Sequence, residues 1–243
     1  MTSERPITVM SGGSFNPPTI AHIRLLDHAV NFFGTDAKGV FVPSSNDYVG
    51  KKIRRHGGAN PLISFDDRLA IIYEYLLDAD LYNARLEYRI DVSDIERNEC
   101  MAGNTYRSLC TLQGADPSRE VVFLLGDDRL PVLAKWGSIE TLLKNFRVAV
   151  LTRTGQKDLS KIPLLAKYAH RFIFIDPPEH DYSKISSSGF WKAFSKKSDD
   201  VYTHVTPHIA DVIAARITPA GENHCASYHE WAKSSLKWTD LLS

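Results

Sequence analysis

The sequence predicts an α/β protein: a doubly wound parallel sheet with helices on both faces and a helical C-terminal extension. Three observations predict it. Short apolar runs recur along the chain, at Ile7–Met10, Gly39–Val42, Val121–Leu125, Arg147–Thr152 and Phe172–Ile175. Several of the intervening segments carry apolar residues at helical spacing. The first run enters a glycine-containing loop and then a helical pattern, the opening of a βαβ unit. Short apolar strands separated by helices are covered on both faces, which is the condition for a parallel sheet.

The elements follow in order. Ile7–Met10 reads as a buried strand, and Ser11–Pro18 as a loop of turn residues. From about Thr19 to Phe33 a helix places Ile23, Leu26, Ala29, Val30 and Phe33 on one face, with Gly34 set to end it. Gly39–Val42 is the second strand, closed by Pro43. Ser44–Pro61 reads as a long polar loop holding the one charge run, Lys51-Lys52-Ile53-Arg54-Arg55. Ser64–Leu77 is a helix with Ser64 as N-cap and Asp66-Asp67 in its first turn. Ala84–Val92 is a strand, Asn104–Leu112 a short helix, and Val121–Leu125 a buried strand ending at Gly126. Ile139–Lys144 is helical, Arg147–Thr152 is a strand, and Phe172–Ile175 is a strand stopped by Pro177-Pro178. Ser186–Lys197 and Pro207–Ile217 are helices, and Ala226–Leu242 is a terminal helical extension. The boundaries expected are a domain over residues 1–218 and a tail over 219–243.

Composition narrows the function. The 243 residues carry 29 Lys+Arg against 29 Asp+Glu, a formal net charge of zero. A nucleic-acid backbone or an anionic membrane surface selects a cationic surplus, so neither is an expected partner. Met1–Pro6 is polar and the apolar run after it is short, so no signal or spanning segment is expected. Cys100, Cys110 and Cys225 are odd in number and widely spaced, which suits reduced thiols in the cytoplasm. His204 with His208, and His224, Cys225 and His229, read as surface or packing residues rather than metal sets, so no protein-held metal is expected.

Ligands of an open parallel sheet bind beyond the carboxyl ends of its strands. The first such loop is Gly12-Gly13-Ser14-Phe15-Asn16-Pro17-Pro18-Thr19-Ile20-Ala21-His22. Glycine lets backbone approach a ligand, and the open N–H groups of a first helical turn attract phosphate. Thr19 and His22 lie three apart, on one face of that turn. The plainer reading, a turn with a capping threonine and a surface histidine, fits the same residues. The chain contains neither GxxxxGK[ST] nor GxGxxG, so neither a P-loop nor the dehydrogenase fingerprint is present.

GGSFNPPTIAH resembles the GGxFxPxHxGH segment of the nucleotidyltransferase superfamily, and most closely that of the nicotinate/nicotinamide mononucleotide adenylyltransferases. Further stretches resemble that family in the same order: VPSSNDYVGKK at Val42–Lys52, FLLGDD at Phe123–Asp128, Lys135-Trp136, LTRTG at Leu151–Gly155, ISSSGF at Ile185–Phe190 and VTP at Val205–Pro207. Together they span about residues 7–216. The chain departs from the pattern at Thr19, where the family has His, at Ala21, where it has Gly, and at Trp191, where the motif arginine falls.

The resemblance implies a Rossmann-like fold and adenylyl transfer from ATP to a pyridine mononucleotide, giving the dinucleotide and pyrophosphate. It implies catalytic roles for His22, Thr19, Lys51 and Lys52, all directed at phosphate oxygens. ATP would lie against Gly13, Ser14, Phe15, Gly126, Asp128, Ser186, Ser187 and Ser188. The mononucleotide would lie against Asn16, Tyr48, Thr105, Tyr106, Trp136 and Arg153, with Trp136 stacking on the pyridine ring. Mg2+ would arrive with ATP, held mainly by phosphate and water. Family members are often homo-oligomers. Two other functions fit the same residues: another small-molecule nucleotidyltransferase of the superfamily, such as a pantetheine-phosphate adenylyltransferase, or a nucleotide-binding regulator without the chemistry.

Overall fold

The computed structural model describes residues 5–58, 60–77, 89–97, 103–152, 158–217 and 228–233. Six parallel strands form one sheet: β1 (Ile7–Gly13), β2 (Lys38–Pro43), β3 (Ile90–Val92), β4 (Glu120–Gly126), β5 (Arg147–Leu151) and β6 (Phe172–Ile175). Their order is β3-β2-β1-β4-β5-β6. The order reverses at β1, which pairs with β2 on one side and β4 on the other. That reversal opens a crevice at the carboxyl ends of β1 and β4, the place where such sheets bind ligands.

Side chains alternate along each strand and build two cores. Val9, Phe41, Val122, Leu124, Ala149 and Leu151 face one side. There they pack with helices α1 (Ile20–Phe32), α3 (Phe65–Leu77), α8 (Ser187–Ser195) and α9 (Pro207–Ile217). Met10, Val40, Val42, Phe123, Val148 and Val150 face the other. Their partners come from α4 (Thr105–Ala115), α5 (Leu130–Leu133), α6 (Ile139–Asn145) and α7 (Pro163–Ala166). The doubly wound sheet expected from the sequence is therefore the fold observed. Gly39 is required in β2, because a Cβ there would meet Val30 Cγ2 at 2.9 Å and Leu26 Cγ at 3.1 Å.

The main departure from expectation is α2 (Asn46–Arg55), a helix inside the stretch read as a polar loop. Only Val49 of it is buried, so no apolar periodicity marks it. Its signals are local. Ser45 caps it by accepting from the Tyr48 N–H at 3.2 Å, and Lys51 pairs with Asp47 one turn earlier at 2.6 Å. Asp47 lies in its first turn and Lys52, Arg54 and Arg55 in its last, as the helix dipole favours. The short helices α5 and α7, four residues each, are too brief to show a period in the sequence. Residues 84–88 of the strand expected at Ala84–Val92 lie outside the described residues; the described part is a strand at Ile90–Val92.

Part of the expected tail is described. In α10 (Tyr228–Lys233), Tyr228 is 1% exposed and donates its hydroxyl to the Ser198 carbonyl at 2.8 Å. Its backbone N–H donates to Asp211 on α9 at 2.9 Å, and its ring lies 5.1 Å from Phe194. Burial pushes its phenol up to about 12. No helix among the described residues is long and apolar enough to cross a membrane.

Candidate active site

A cleft of about 630 Å³ lies over the crevice at the strand ends. Every strand except β6 brings residues to it: Ser11–Phe15 at the end of β1, Ser44, Tyr48 and Lys52 beyond β2, Glu96 beyond β3, Gly126 and Arg129 beyond β4, and Leu151 of β5. His22 from α1, Asn104, Thr105 and Tyr106 at the start of α4, and Ser138 complete its polar lining, with Trp136 half-buried beside Phe123. Past Leu25 and Leu151 a second cavity of about 270 Å³ continues along Thr152 and the 177–183 segment.

His22 is held in one tautomer. Its Nδ1 accepts from the Thr19 backbone N–H at 3.0 Å and lies 2.7 Å from the Thr19 hydroxyl. A backbone N–H can only donate, so Nδ1 carries no proton and the neutral ring carries its proton on Nε2. The edge-to-face contact with Phe15, centroids 5.1 Å apart, fixes the ring plane. Phe15 itself is buried between His22 and Phe41 and adopts a φ of 44°, a left-handed conformation that costs a non-glycine residue energy. Thr19 is fully buried behind the imidazole and does not line the cleft.

The two lysines of α2 part company because adjacent helical residues point about 100° apart. Lys52 lines the cleft and donates to the Ser14 hydroxyl at 3.0 Å. Burial pushes its amine below the usual lysine range, and the charge of Arg129 adds to the effect. Lys51 faces solvent on its Asp47 partner, away from the phosphate position expected for it.

Arg68, at 0% exposure, braces this corner from behind. It donates to the Ser14 carbonyl at 2.8 Å, the Ile63 carbonyl at 3.1 Å and Asn46 Oδ1 at 3.1 Å. Burial lowers its guanidinium to about 10, with Glu96 opposing, so it stays charged at neutral pH. Glu96 is 4% exposed and accepts from the Ser108 hydroxyl at 2.7 Å and the Gly103 N–H at 3.3 Å. It thereby fixes the turn that leads into α4. Gly103 sits at φ +67° with the Tyr48 ring against it; a Cβ would lie 2.5 Å from that ring.

Other expected site residues are placed differently. Asn16 is buried and structural, donating to the Pro61 carbonyl at 2.9 Å and accepting from the Ile63 N–H at 2.8 Å. Gly126 lines the cleft, whereas Asp128 is exposed and off its lining. Ser186 caps α8 by accepting from the Gly189 N–H at 3.0 Å, and Ser187 donates to the Pro17 carbonyl at 2.7 Å. Ser186, Ser187 and Ser188 all stand outside both cavities. Arg153 lies outside the described residues. Trp191, at the motif arginine position, is 2% exposed and donates its indole N–H to the Asn16 carbonyl at 2.8 Å, bracing the glycine loop from within the core. Sequence reasoning missed Arg68, Glu96 and Arg129. Arg68 alone carried a signal, a cation on the apolar face of an amphipathic helix.

His204 joins the starts of α1 and α8. Its carbonyl accepts from the Ile20 N–H at 3.0 Å and its Nδ1 from the Ser186 N–H at 3.3 Å, while Gly189 leaves room for its ring. Burial lowers its pKa from 6.5, opposed by Asp200. The fold holds the ring neutral, so between the folded and unfolded values the unfolded chain binds the extra proton. The stabilisation is therefore full above 6.5 and lost as pH falls below it. Melting temperature is expected to fall from about pH 7 to about 5.5, and less steeply in His204→Gln. Melts at successive pH values check this; equal slopes in the two proteins would remove His204 as the cause.

The glycine loop, the histidine-bearing helix and the strand-end crevice occupy one contiguous region. The cytidylyltransferase-like family model matches it, over residues 10–192. The chain belongs to that family. This cytidylyltransferase-like protein is 28% identical over 209 residues to a probable nicotinate-nucleotide adenylyltransferase of Acholeplasma laidlawii, covering 84% of this chain and 95% of that one. It is 25% identical over 172 residues to one of Lactiplantibacillus plantarum, covering 71% and 70%. Among solved structures it superposes on the Plasmodium falciparum nicotinic acid mononucleotide adenylyltransferase complexed with APC, and on the same enzyme complexed with NaAD. Each gives a TM-score of 0.66, covering 86% of this chain and 94% of that chain, at 22% and 23% identity. These likenesses establish the shared fold.

Proposed function

We propose that the protein transfers the adenylyl group of ATP to nicotinate or nicotinamide mononucleotide. A 5′-phosphate oxygen of the mononucleotide attacks the α-phosphorus of ATP. The new P–O–P bond forms as the bond to the β-phosphate bridging oxygen breaks, and pyrophosphate leaves. The nucleophile is already anionic, so positioning and charge stabilisation carry the reaction. The observation that supports this most is the His22 tautomer: an Nε2–H donor on a ring that lines the cleft beside the glycine loop.

In this reading Nε2–H of His22 donates to the phosphate charge that grows in the transition state. Thr19 acts through His22 by holding its ring. Lys52, rather than Lys51, meets the phosphates, and Gly13, Ser14 and Phe15 supply backbone around them. Trp136 and Tyr48 flank the pyridine, and the first N–H groups of α4, at Thr105 and Tyr106, meet its substituent. A helix N-terminus favours an anion, and the relatives are named for the nicotinate form, so the acid is the favoured mononucleotide. Gly126 would lie along the adenosine. ATP enters as its magnesium complex; Glu96 is the one carboxylate among the described cleft residues and is already engaged, so phosphate and water oxygens would hold the ion. Residues 1–218 would form the transferase domain, and the 219–243 tail would dock on it through Tyr228. A cytoplasmic setting and a small-molecule clientele, without nucleic acid or membrane, accord with this chemistry.

A substrate panel read by pyrophosphate release tests the proposal. ATP with nicotinate mononucleotide is expected to give the dinucleotide. Turnover only with CTP or with pantetheine phosphate would replace this reading with another transferase. ATP binding without turnover on any acceptor would replace it with a regulator.

A further inference from the structure

The cleft is unbalanced in charge. Its described lining holds two full cations, Lys52 and Arg129, and one carboxylate, Glu96. That carboxylate is committed elsewhere, accepting from Ser108 and Gly103 and facing the buried Arg68. Lys52 donates only to the neutral hydroxyl of Ser14, and the Arg129 side chain makes no hydrogen bond or ion pair among the described residues. The two are near enough for the charge of Arg129 to depress the Lys52 amine. Like charges that face one cavity without a counter-ion repel, and an anion placed between them relieves both.

The two cations come from opposite sides of the glycine loop. Lys52 follows β2 and Arg129 follows β4, while β1 and its loop lie between those strands. A chain of phosphates resting on the Gly12–Ser14 backbone would therefore have one cation on each flank. Arg129 is exposed, lies in the 3-10 turn Asp127–Arg129, and presents a planar fork of donors suited to phosphate oxygens. We propose that Arg129 is a phosphate-binding residue of the transfer site, forming with Lys52 a two-sided clamp on a polyphosphate. The assignment to ATP rests on the adenylyl-transfer reading; the clamp itself rests on the charges of the cleft.

Inorganic tripolyphosphate, with no base and no ribose, probes the clamp directly. Arg129→Gln is expected to weaken its binding by about tenfold or more in calorimetry and to raise the KM for ATP similarly. The KM for the mononucleotide stays within about twofold, Arg129→Lys recovers part of the loss, and the melting temperature does not fall. Lys144→Gln, a cation on α6 outside the cleft, controls for net charge and changes nothing. Tripolyphosphate affinity unchanged in Arg129→Gln overturns the clamp, as does an effect confined to the mononucleotide KM. The two proposals fail separately. A protein without transferase activity whose tripolyphosphate binding depends on Arg129 keeps the clamp and loses the reaction, and a transferase indifferent to Arg129→Gln does the reverse.

Discussion

His22→Ala is expected to lower kcat by about 100- to 1,000-fold with little change in either KM, because in the proposed reaction the lost donor acts on charge present mainly in the transition state. The basis is geometric. The Thr19 N–H holds Nδ1 as an acceptor, so Nε2–H is the donor the ring can offer. Thr19→Val separates the roles of the two residues. It removes a hydroxyl 2.7 Å from Nδ1 and leaves the backbone donor in place. The expected loss is about one hydrogen bond, or roughly tenfold in kcat. If Thr19 itself touched phosphate, as the motif position implies, Thr19→Val would cost as much as His22→Ala. Steady-state kinetics on both variants decide this. A His22→Ala enzyme with kcat within about tenfold of the parent would remove the histidine from the transition state.

The sheet was legible because its strands bury both faces and write themselves as uninterrupted apolar runs, such as Val121–Leu125. The loop after β1 was legible through its resemblance to a family motif, because glycines before a helix start fit a plain turn as well as a phosphate cradle. Helix α2 was not, since it buries a single residue and is specified by Ser45, Asp47 and its terminal cations. That omission carried into the site: only a helix separates Lys52 from Lys51. The engaged Glu96 and the cation Arg129 were invisible for a related reason. A charged residue owes its role to what the fold sets beside it, and Ser108, Gly103 and Lys52 are distant from their partners in sequence or lie on other elements. The serines at 186–188 show the opposite limit. Their motif was plain, yet the hydroxyls of Ser186 and Ser187 are taken up by the Gly189 N–H and the Pro17 carbonyl.

Placing the motif arginine at position 191 is expected to destabilise the protein strongly rather than improve it. Trp191 is 2% exposed, in ring contact with Phe190 and Phe194, and its indole N–H is bonded to the Asn16 carbonyl. Trp191→Arg removes an aromatic side chain from this core, a change worth about 3–5 kcal/mol when it leaves a void. It also sets a charge among apolar rings and withdraws the brace from the loop that carries Phe15. For a chain of this length the combined loss corresponds to a fall in melting temperature of about 10 °C or more. Trp191→Phe keeps most of the volume and loses only the hydrogen bond, so it should cost about 1–2 kcal/mol and leave a folded protein. Urea unfolding and thermal melts of the pair measure both numbers. A Trp191→Arg protein with the parent midpoint and a lower KM for ATP would mean that the helix can turn this position out to the phosphates. The buried tryptophan would then be a replaceable filler, and the Lys52–Arg129 clamp would have a third member available to it.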